Sequence, residues 1–127
     1  SADQPGLIYD VLAVSPESLA ARKDDWTKVA KVWYRIVDYI KDPKTYDDAV
    51  QIMAARVGIE PDEYKSFIDG TKILTLDEAK GFFNKGEGYT SLYGSSKISD
   101  DFNVANKVYD EAQDIDSYID PSITGAL

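Results

Sequence analysis

The sequence predicts a mainly helical chain with one or two short strands. Along most of its 127 residues, apolar side chains recur three and four positions apart, and hydroxyl or proline residues stand where helices would begin. Only residues 7–14 form a short apolar, partly β-branched run between turn signals, which is typical of a buried strand. The balance of these patterns indicates a helical fold with very little sheet.

The strand prediction raises a question of pairing. A lone strand leaves its backbone N–H and C=O groups without ladder partners, which is not a stable arrangement. We therefore expect residues 7–14 to pair either with a second copy of the chain or with a sheet whose other strands lie outside it. We favour the sheet.

The first helices are predicted from a start signal and an apolar stripe. Ser15 as N-cap and Pro16 at the first helical position begin a short helix that ends near Arg22. A longer helix follows, and it ends before Pro43 because a residue preceding proline avoids the α conformation. The apolar residues of this longer helix predict one buried stripe, made of Trp26, Val29, Ala30, Trp33, Ile36, Val37 and Ile40.

The remaining helices are predicted over residues 45–57, 62–69, 75–85 and about 95–111. Gly58 and Gly70 mark the ends of two of them. Thr75 and Glu78 form a capping-box pattern at the start of the next. Residues 86–96 are rich in glycine and hydroxyls and predict a loop for most of their length.

Composition excludes several classes of function. The net charge of −9, from 23 acidic and 14 basic residues, would repel nucleic acid and anionic lipid surfaces. The chain has no cysteine and no histidine, which removes thiol nucleophiles, disulfides, imidazole bases and ordinary zinc or copper sites. No pair of carboxylates is arranged for acid–base catalysis, so we expect no catalytic residues, no metal and no cofactor.

Two segments could bind ions but favour a structural role. Residues 86–96 offer backbone N–H groups to an anion, yet they lack the lysine and the spacing of a Walker loop. The acidic cluster of Asp110, Asp114, Asp116 and Asp120 lacks the glycine and the terminal glutamate of a calcium loop. We interpret the first as a packing loop and the second as a solvated face.

Ser1 and Asp3 are the candidate ligand-binding residues. They precede the predicted strand, and side chains at the tip of a strand can reach the sheet edge where α/β proteins bind small molecules. From the spacing alone, a frayed terminus beside a proline turn is the favoured interpretation.

Several motifs occur in an order that matches a known family. They are DVLAVS at 10–15, KVAKVWY at 28–34, PDEY at 61–64, GTKIL at 70–74 and IDPSI at 119–123. The chain resembles, over essentially its whole length, the second half of ABC-transporter solute-binding proteins of the nitrate, sulfonate, taurine, bicarbonate and thiamine-precursor family.

The resemblance implies a fragment of a two-lobed α/β periplasmic-binding-protein fold of type II. Residues 1–15 would be the hinge-proximal segment and strand, and residues 16–127 the helical C-terminal part of the first lobe. The rest of both lobes would belong to a longer protein, shortened by proteolysis or by design of the expressed chain. Most of the cleft would then be missing, so the chain alone is expected not to bind solute.

The resemblance also implies a non-enzymatic receptor in the periplasm or another extracytoplasmic space. It would capture a small solute, such as a sulfonate, taurine, nitrate or an amine, by hinge closure and pass it to an ABC permease. The related pyrimidine synthases are expected to need histidine and cysteine, which are absent here. The alternative is a self-contained helical interaction domain that dimerises through its strand without a ligand. We also expect the fragment to self-associate through exposed apolar surface.

Overall fold

A computed structural model of the chain describes residues 2–127, and these residues form five α-helices and no β-strand. The helices are Pro16–Lys41 (α1), Tyr46–Val57 (α2), Pro61–Asp69 (α3), Leu76–Phe82 (α4) and Leu92–Ala105 (α5). Short 3-10 helices lie at Gly88–Thr90, Ile115–Ser117 and Thr124–Ala126. The prediction of a mainly helical chain is confirmed, whereas the prediction of one or two strands is wrong for the described residues.

Residues 7–14 form an irregular segment in place of the predicted strand. No backbone hydrogen bond joins residues 8–14 to any other residue in the part of the chain that the structure describes. A strand exists only when a neighbour completes its ladder, and no other described segment supplies one. The segment therefore stays at the surface, where water can reach its backbone groups.

α1 begins where the sequence predicts and bends where two helices were expected to meet. The Ser15 hydroxyl accepts a hydrogen bond from the backbone N–H of Ser18 at 3.2 Å, and Pro16 occupies the first turn. At Arg22 the backbone leaves helical geometry, with φ −135° and ψ 32°. The indole N–H of Trp26 donates to the Ser18 hydroxyl at 3.1 Å, and this bond ties the two parts together across the kink.

α1 and α2 pack as a helical pair around a small core. At the turn between them, the Thr45 hydroxyl donates to the backbone C=O of Tyr39 at 2.6 Å. The Tyr39 hydroxyl in turn donates to the Asp48 carboxylate at 2.6 Å. Buried apolar side chains of the described residues are Ala30, Val37, Ile40, Ala49, Val50, Ala54 and Ala79. Among residues 2–127 only Val37 and Val50 are both large and fully buried, so the core is small for a chain of this length.

The stripe predicted on α1 is only partly buried. Ala30, Val37 and Ile40 are buried, as predicted. Side chains that were expected in the core but lie largely exposed are Val29, Trp33 and Ile36. The apolar positions of α1 span about half of its circumference, which is wider than the face that one packed helix covers. The assignment of the whole stripe to the core is therefore wrong in this chain.

α5 begins earlier than the sequence predicts. The Ser91 hydroxyl accepts from the backbone N–H of Tyr93 at 3.2 Å and donates to the C=O of Asn84 at 2.7 Å. Ser91 is therefore the N-cap, and the helix starts at Leu92, inside the segment that was expected to be a loop. The structural role favoured for this segment is supported, although much of it is helical.

α4 begins with the capping box that the sequence predicts. The Thr75 hydroxyl accepts from the backbone N–H of Glu78 at 3.3 Å, and the Glu78 carboxylate accepts from the backbone N–H of Thr75 at 2.9 Å. The hydrogen bond from the Thr75 backbone lowers the pKa of Glu78, and the nearby Lys72 ammonium, at 3.4 Å, acts in the same direction.

Replacing Glu78 with glutamine is expected to lower the free energy of unfolding at pH 7 by about 0.5 kcal/mol. The effect is small because the Glu78 side chain is 39 % exposed. Since folding lowers this pKa, the contribution of the carboxylate is present above the pKa of the unfolded state and is lost as the pH falls through that of the folded state. The difference between wild type and Glu78→Gln should therefore shrink from pH 7 to about pH 3 in denaturant titrations.

Asp77→Asn is the matched control for that measurement, because Asp77 shares the first turn of α4 but takes no part in the capping box. Its effect on unfolding should be smaller at pH 7. A loss of stability in Glu78→Gln that stays constant across this pH range would contradict the assigned role of the carboxylate.

Candidate interaction surface

The irregular segment is fixed to the helical body at its N-terminal end. The buried Gly6 places its C=O 2.6 Å from the Ser95 hydroxyl of α5, which donates to it. The Tyr9 hydroxyl donates to the C=O of Tyr89 at 3.2 Å, and its ring meets the Phe82 ring edge-on, with centroids 5.7 Å apart. Burial raises the pKa of the Tyr9 phenol. These contacts hold residues 6–9 against α4 and α5.

The anchor at Gly6 has no room for a side chain. Its φ is +89°, in the region that favours glycine. A Cβ atom at this position would lie 1.8 Å from the carbonyl oxygen of Tyr89 and 2.9 Å from the hydroxyl of Tyr9. The tight turn therefore sets the direction in which the following segment leaves the body.

The segment presents apolar side chains to solvent on either side of Tyr9. Ile8 and Val11 are 70 % and 64 % exposed, and Leu7 and Leu12 are exposed as well. Proline and lysine, which protect natural sheet edges, are absent from residues 7–14. Exposed apolar side chains beside unpaired backbone groups make this segment a template for pairing with another strand.

A second exposed apolar row follows on α1, which begins directly after the segment. The members of this row recur three and four residues apart, and they are Val29, Val32, Ile36 and Tyr39. The hydrogen bond from Tyr39 to Asp48 brings this face beside α2, where Ile52, one turn further on, is also exposed. Single exposed apolar residues are common, but a row on two neighbouring helices marks an interaction surface.

The total accessible surface supports this interpretation. The chain exposes 8989 Å² for a mass of 14.1 kDa. A compact monomer of that mass would expose about 6,700 Å², so the surplus is about 2,300 Å². Each partner in a large obligate interface contributes an area of this order.

The structure describes one of the two predicted ligand-binding residues. Ser1 lies outside the described residues. Asp3 is exposed and makes no hydrogen bond or ion pair within residues 2–127. The backbone N–H of its neighbour Ala2 donates to the C=O of Gly70 at 3.2 Å, which places Asp3 beside the end of α3. The Asp3 carboxylate is therefore accessible to a cationic group.

The glycine-rich loop borders an open cleft of about 570 Å³, together with α5 and the C-terminal tail. Both lysines that line the cleft are paired: Lys85 lies 2.6 Å from Asp116, and Lys97 lies 2.8 Å from Asp101. A Cβ atom at Gly94 would lie only 2.5 Å from the backbone of the loop. Because the loop is tightly packed and both lysines already pair with aspartates, a structural role is favoured for this loop over a phosphate site.

The acidic tail lies at the surface of the chain. Asp110, Asp114, Asp116 and Asp120 are exposed. Across residues 2–127, no cluster of three or more acidic side chains is placed to hold a metal ion. The Asp120 carboxylate accepts from the backbone N–H of Ser122 at 2.7 Å, and this bond lowers the pKa of Asp120.

Within residues 2–127, no helix has the length and apolar character needed to span a bilayer.

One buried acid was not singled out by the sequence. Asp100 is 4 % exposed, and one of its carboxylate oxygens accepts from the Tyr109 hydroxyl at 2.8 Å and from the backbone N–H of Gln113 at 3.0 Å. Both donors lie beyond the end of α5. Asp100 therefore holds the start of the tail against the helix that precedes it.

The outer face of α1 was not predicted from the sequence either. Val32 and Tyr39 were left out of the predicted stripe, yet they extend its exposed side. The width of the apolar arc was the available signal, since an arc of about 180° exceeds the roughly 100° stripe of a helix with one buried face.

No protein-family model, no curated protein and no solved structure matches this chain.

Proposed function

We propose that this chain is the helical C-terminal part of the first lobe of a solute-binding protein that serves an ABC importer. The motif order from DVLAVS to IDPSI is the basis of the family assignment. The observation that carries the proposal is the unpaired apolar segment at residues 7–14, because it falls on the DVLAVS motif, where the family has a strand. An exposed segment of this kind is what removal of a surrounding sheet would leave.

In the proposed parent, residues 7–14 join the sheet of the first lobe and residues 16–127 cover it, within a type II fold. The exposed row on α1 packs against the rest of that lobe. The surplus surface of about 2,300 Å² is then buried inside one protein, as the scaling of compact monomers requires. Solute binds between the two lobes and stabilises their closed arrangement, which the permease recognises outside the cytoplasmic membrane.

Asp3 favours an amine-bearing solute. Its carboxylate is exposed and unpaired within the described residues, and it lies in the hinge-proximal segment of the proposed parent. A carboxylate repels a bare oxyanion such as nitrate but can pair with an ammonium group. A zwitterion such as taurine therefore fits this segment better than a simple anion does.

The size of the natural protein tests the assignment. We expect peptides of this chain, traced by mass spectrometry in the source cells, to belong to a protein more than twice as long. A natural chain of about 127 residues would overturn the assignment and favour the alternative, a helical domain that dimerises through its strand.

Thermal unfolding of the full-length parent tests the solute. At a concentration of 100 Kd, taurine is expected to stabilise the parent by about 2.7 kcal/mol. Ethanesulfonate, which has the same sulfonate without the amine, and nitrate should give smaller shifts. Asp3→Asn should reduce the taurine shift and leave that of ethanesulfonate nearly unchanged. Stabilisation by the simple anions alone would refute the amine preference, and no stabilisation by any of these solutes would argue against the receptor.

A further inference from the structure

We infer that two copies of this 127-residue chain associate about a two-fold axis, with residues 8–14 paired as antiparallel strands centred on Val11. The inference does not rest on the proposed function, because it concerns the chain without any further sheet. Its starting observation is that residues 8–14 have no backbone partner among the described residues, while the anchor at Gly6 and Tyr9 keeps them accessible.

The segment is complementary to itself in this register. Val11 stands opposite Val11 of the second copy, and Ile8 stands opposite Val14. Asp10 is the only charged residue of the segment, and it faces Leu12 of the second copy and not another Asp10. Pairing therefore joins apolar residues without placing like charges directly opposite each other.

The exposed surface is sufficient for a stable dimer. A specific interface buries about 800 Å² on each partner, and the surplus on this chain is about 2,300 Å². Val29, Val32 and Ile36 on α1 are exposed as well and form part of the apolar surface that the chain presents to solvent. A second copy is always present at the same concentration, and it carries an identical unprotected edge.

Net charge opposes the association and makes it dependent on salt. Each copy carries a charge of −9, so two copies repel at low ionic strength. Raising the salt from 0.05 to 0.5 M shortens the Debye length from about 14 to about 4 Å and screens this repulsion. The dissociation constant of the dimer, measured by sedimentation, should therefore be lower at the higher salt by roughly threefold or more.

Cysteine cross-linking tests the register directly, because the chain contains no native cysteine. Val11→Cys places two thiols opposite each other across the axis, within the Cα separation of about 4.4–6.8 Å that a disulfide requires. Ile8→Cys is the matched control, since the two copies of residue 8 would be about 20 Å apart. Mild oxidation should give roughly ten times more covalent dimer from Val11→Cys than from Ile8→Cys.

Mixing Ile8→Cys with Val14→Cys chains should restore cross-linking, because these positions face each other in the proposed register. Val11→Pro should weaken the dimer by removing a backbone donor, whereas Ala112→Pro, at an exposed position of the tail, should not. Equal cross-linking of Val11→Cys and Ile8→Cys would overturn the strand pairing. A chain that sediments as a monomer at about 100 μM in both salts would overturn the association itself.

Discussion

Replacing Gly6 with alanine is expected to lower the free energy of unfolding by about 3 kcal/mol or more, or to detach residues 2–9 from the helical body. Two independent effects add at this position. A side chain at φ +89° strains the backbone, and the new Cβ would overlap the carbonyl oxygen of Tyr89 at 1.8 Å. The obstructing atom belongs to the backbone, so a change of rotamer cannot relieve the overlap.

Two other glycines separate strain from overlap. Gly58 has φ +78° but nothing within 4 Å of its Cβ position, so Gly58→Ala should cost only the backbone strain, about 1 kcal/mol. Gly125 has neither a positive φ nor a close neighbour, so Gly125→Ala should be nearly neutral. Denaturant titration should show the largest loss in free energy of unfolding for Gly6→Ala, a smaller loss for Gly58→Ala and the smallest for Gly125→Ala.

Hydrogen exchange distinguishes the two possible responses of Gly6→Ala. Global unfolding lowers the protection of α1 and α2, whereas detachment leaves those helices protected and exposes the tight turn to proteases. A variant as stable as Gly58→Ala, with the turn equally resistant to protease, would show that the Gly6 anchor does not have the geometry described above.

Helix boundaries were predictable where their signals are local. Ser15 with Pro16, and Thr75 with Glu78, act within a few residues of the helix that they begin, and the structure confirms both starts. Gly58 ends α2 for the same reason, since its left-handed conformation is a property of one residue. Local chemistry decides these features, whatever the rest of the chain does.

The state of residues 7–14 was not predictable from their own pattern. The short apolar run and its β-branched residues are typical of a strand, but a strand also needs a partner, which no other described segment provides. The burial of Trp33 and Ile36 likewise depends on what covers α1 and not on spacing within it. Both errors have one physical origin, namely apolar surface that the chain alone cannot cover.

The contacts that fix residues 6–9 to the helical body join residues that are far apart in the sequence. The Ser95 hydroxyl meets the C=O of Gly6 across 89 positions of sequence, and Tyr9 meets Tyr89 across 80. Hydrophobic periodicity does not predict such contacts, and the sequence indicated only the turn at Gly6. These bonds position the unpaired segment at the surface of the helical body.

Replacing Asp100 with alanine is expected to lower the free energy of unfolding by about 3 kcal/mol. The substitution removes an ionised acceptor that is 4 % exposed and leaves the Tyr109 hydroxyl and the Gln113 backbone N–H without their shared partner. Asp100→Asn should cost less, because both bonds go to one oxygen and an amide oxygen can still accept both of them. Tyr109→Phe, which removes one donor and keeps the acceptor, should also cost less than Asp100→Ala.

The exchange rate of the Gln113 amide shows whether the tail is held in this way. It should rise strongly in Asp100→Ala and only slightly in Tyr109→Phe, because the bond from Gln113 to Asp100 survives in the second variant. Asp101→Ala is the neighbouring control, since Asp101 is exposed and, within residues 2–127, its carboxylate pairs only with Lys97. If Asp101→Ala were as damaging as Asp100→Ala, loss of negative charge on α5 would explain the effect, and the buried carboxylate would not be what fastens the tail.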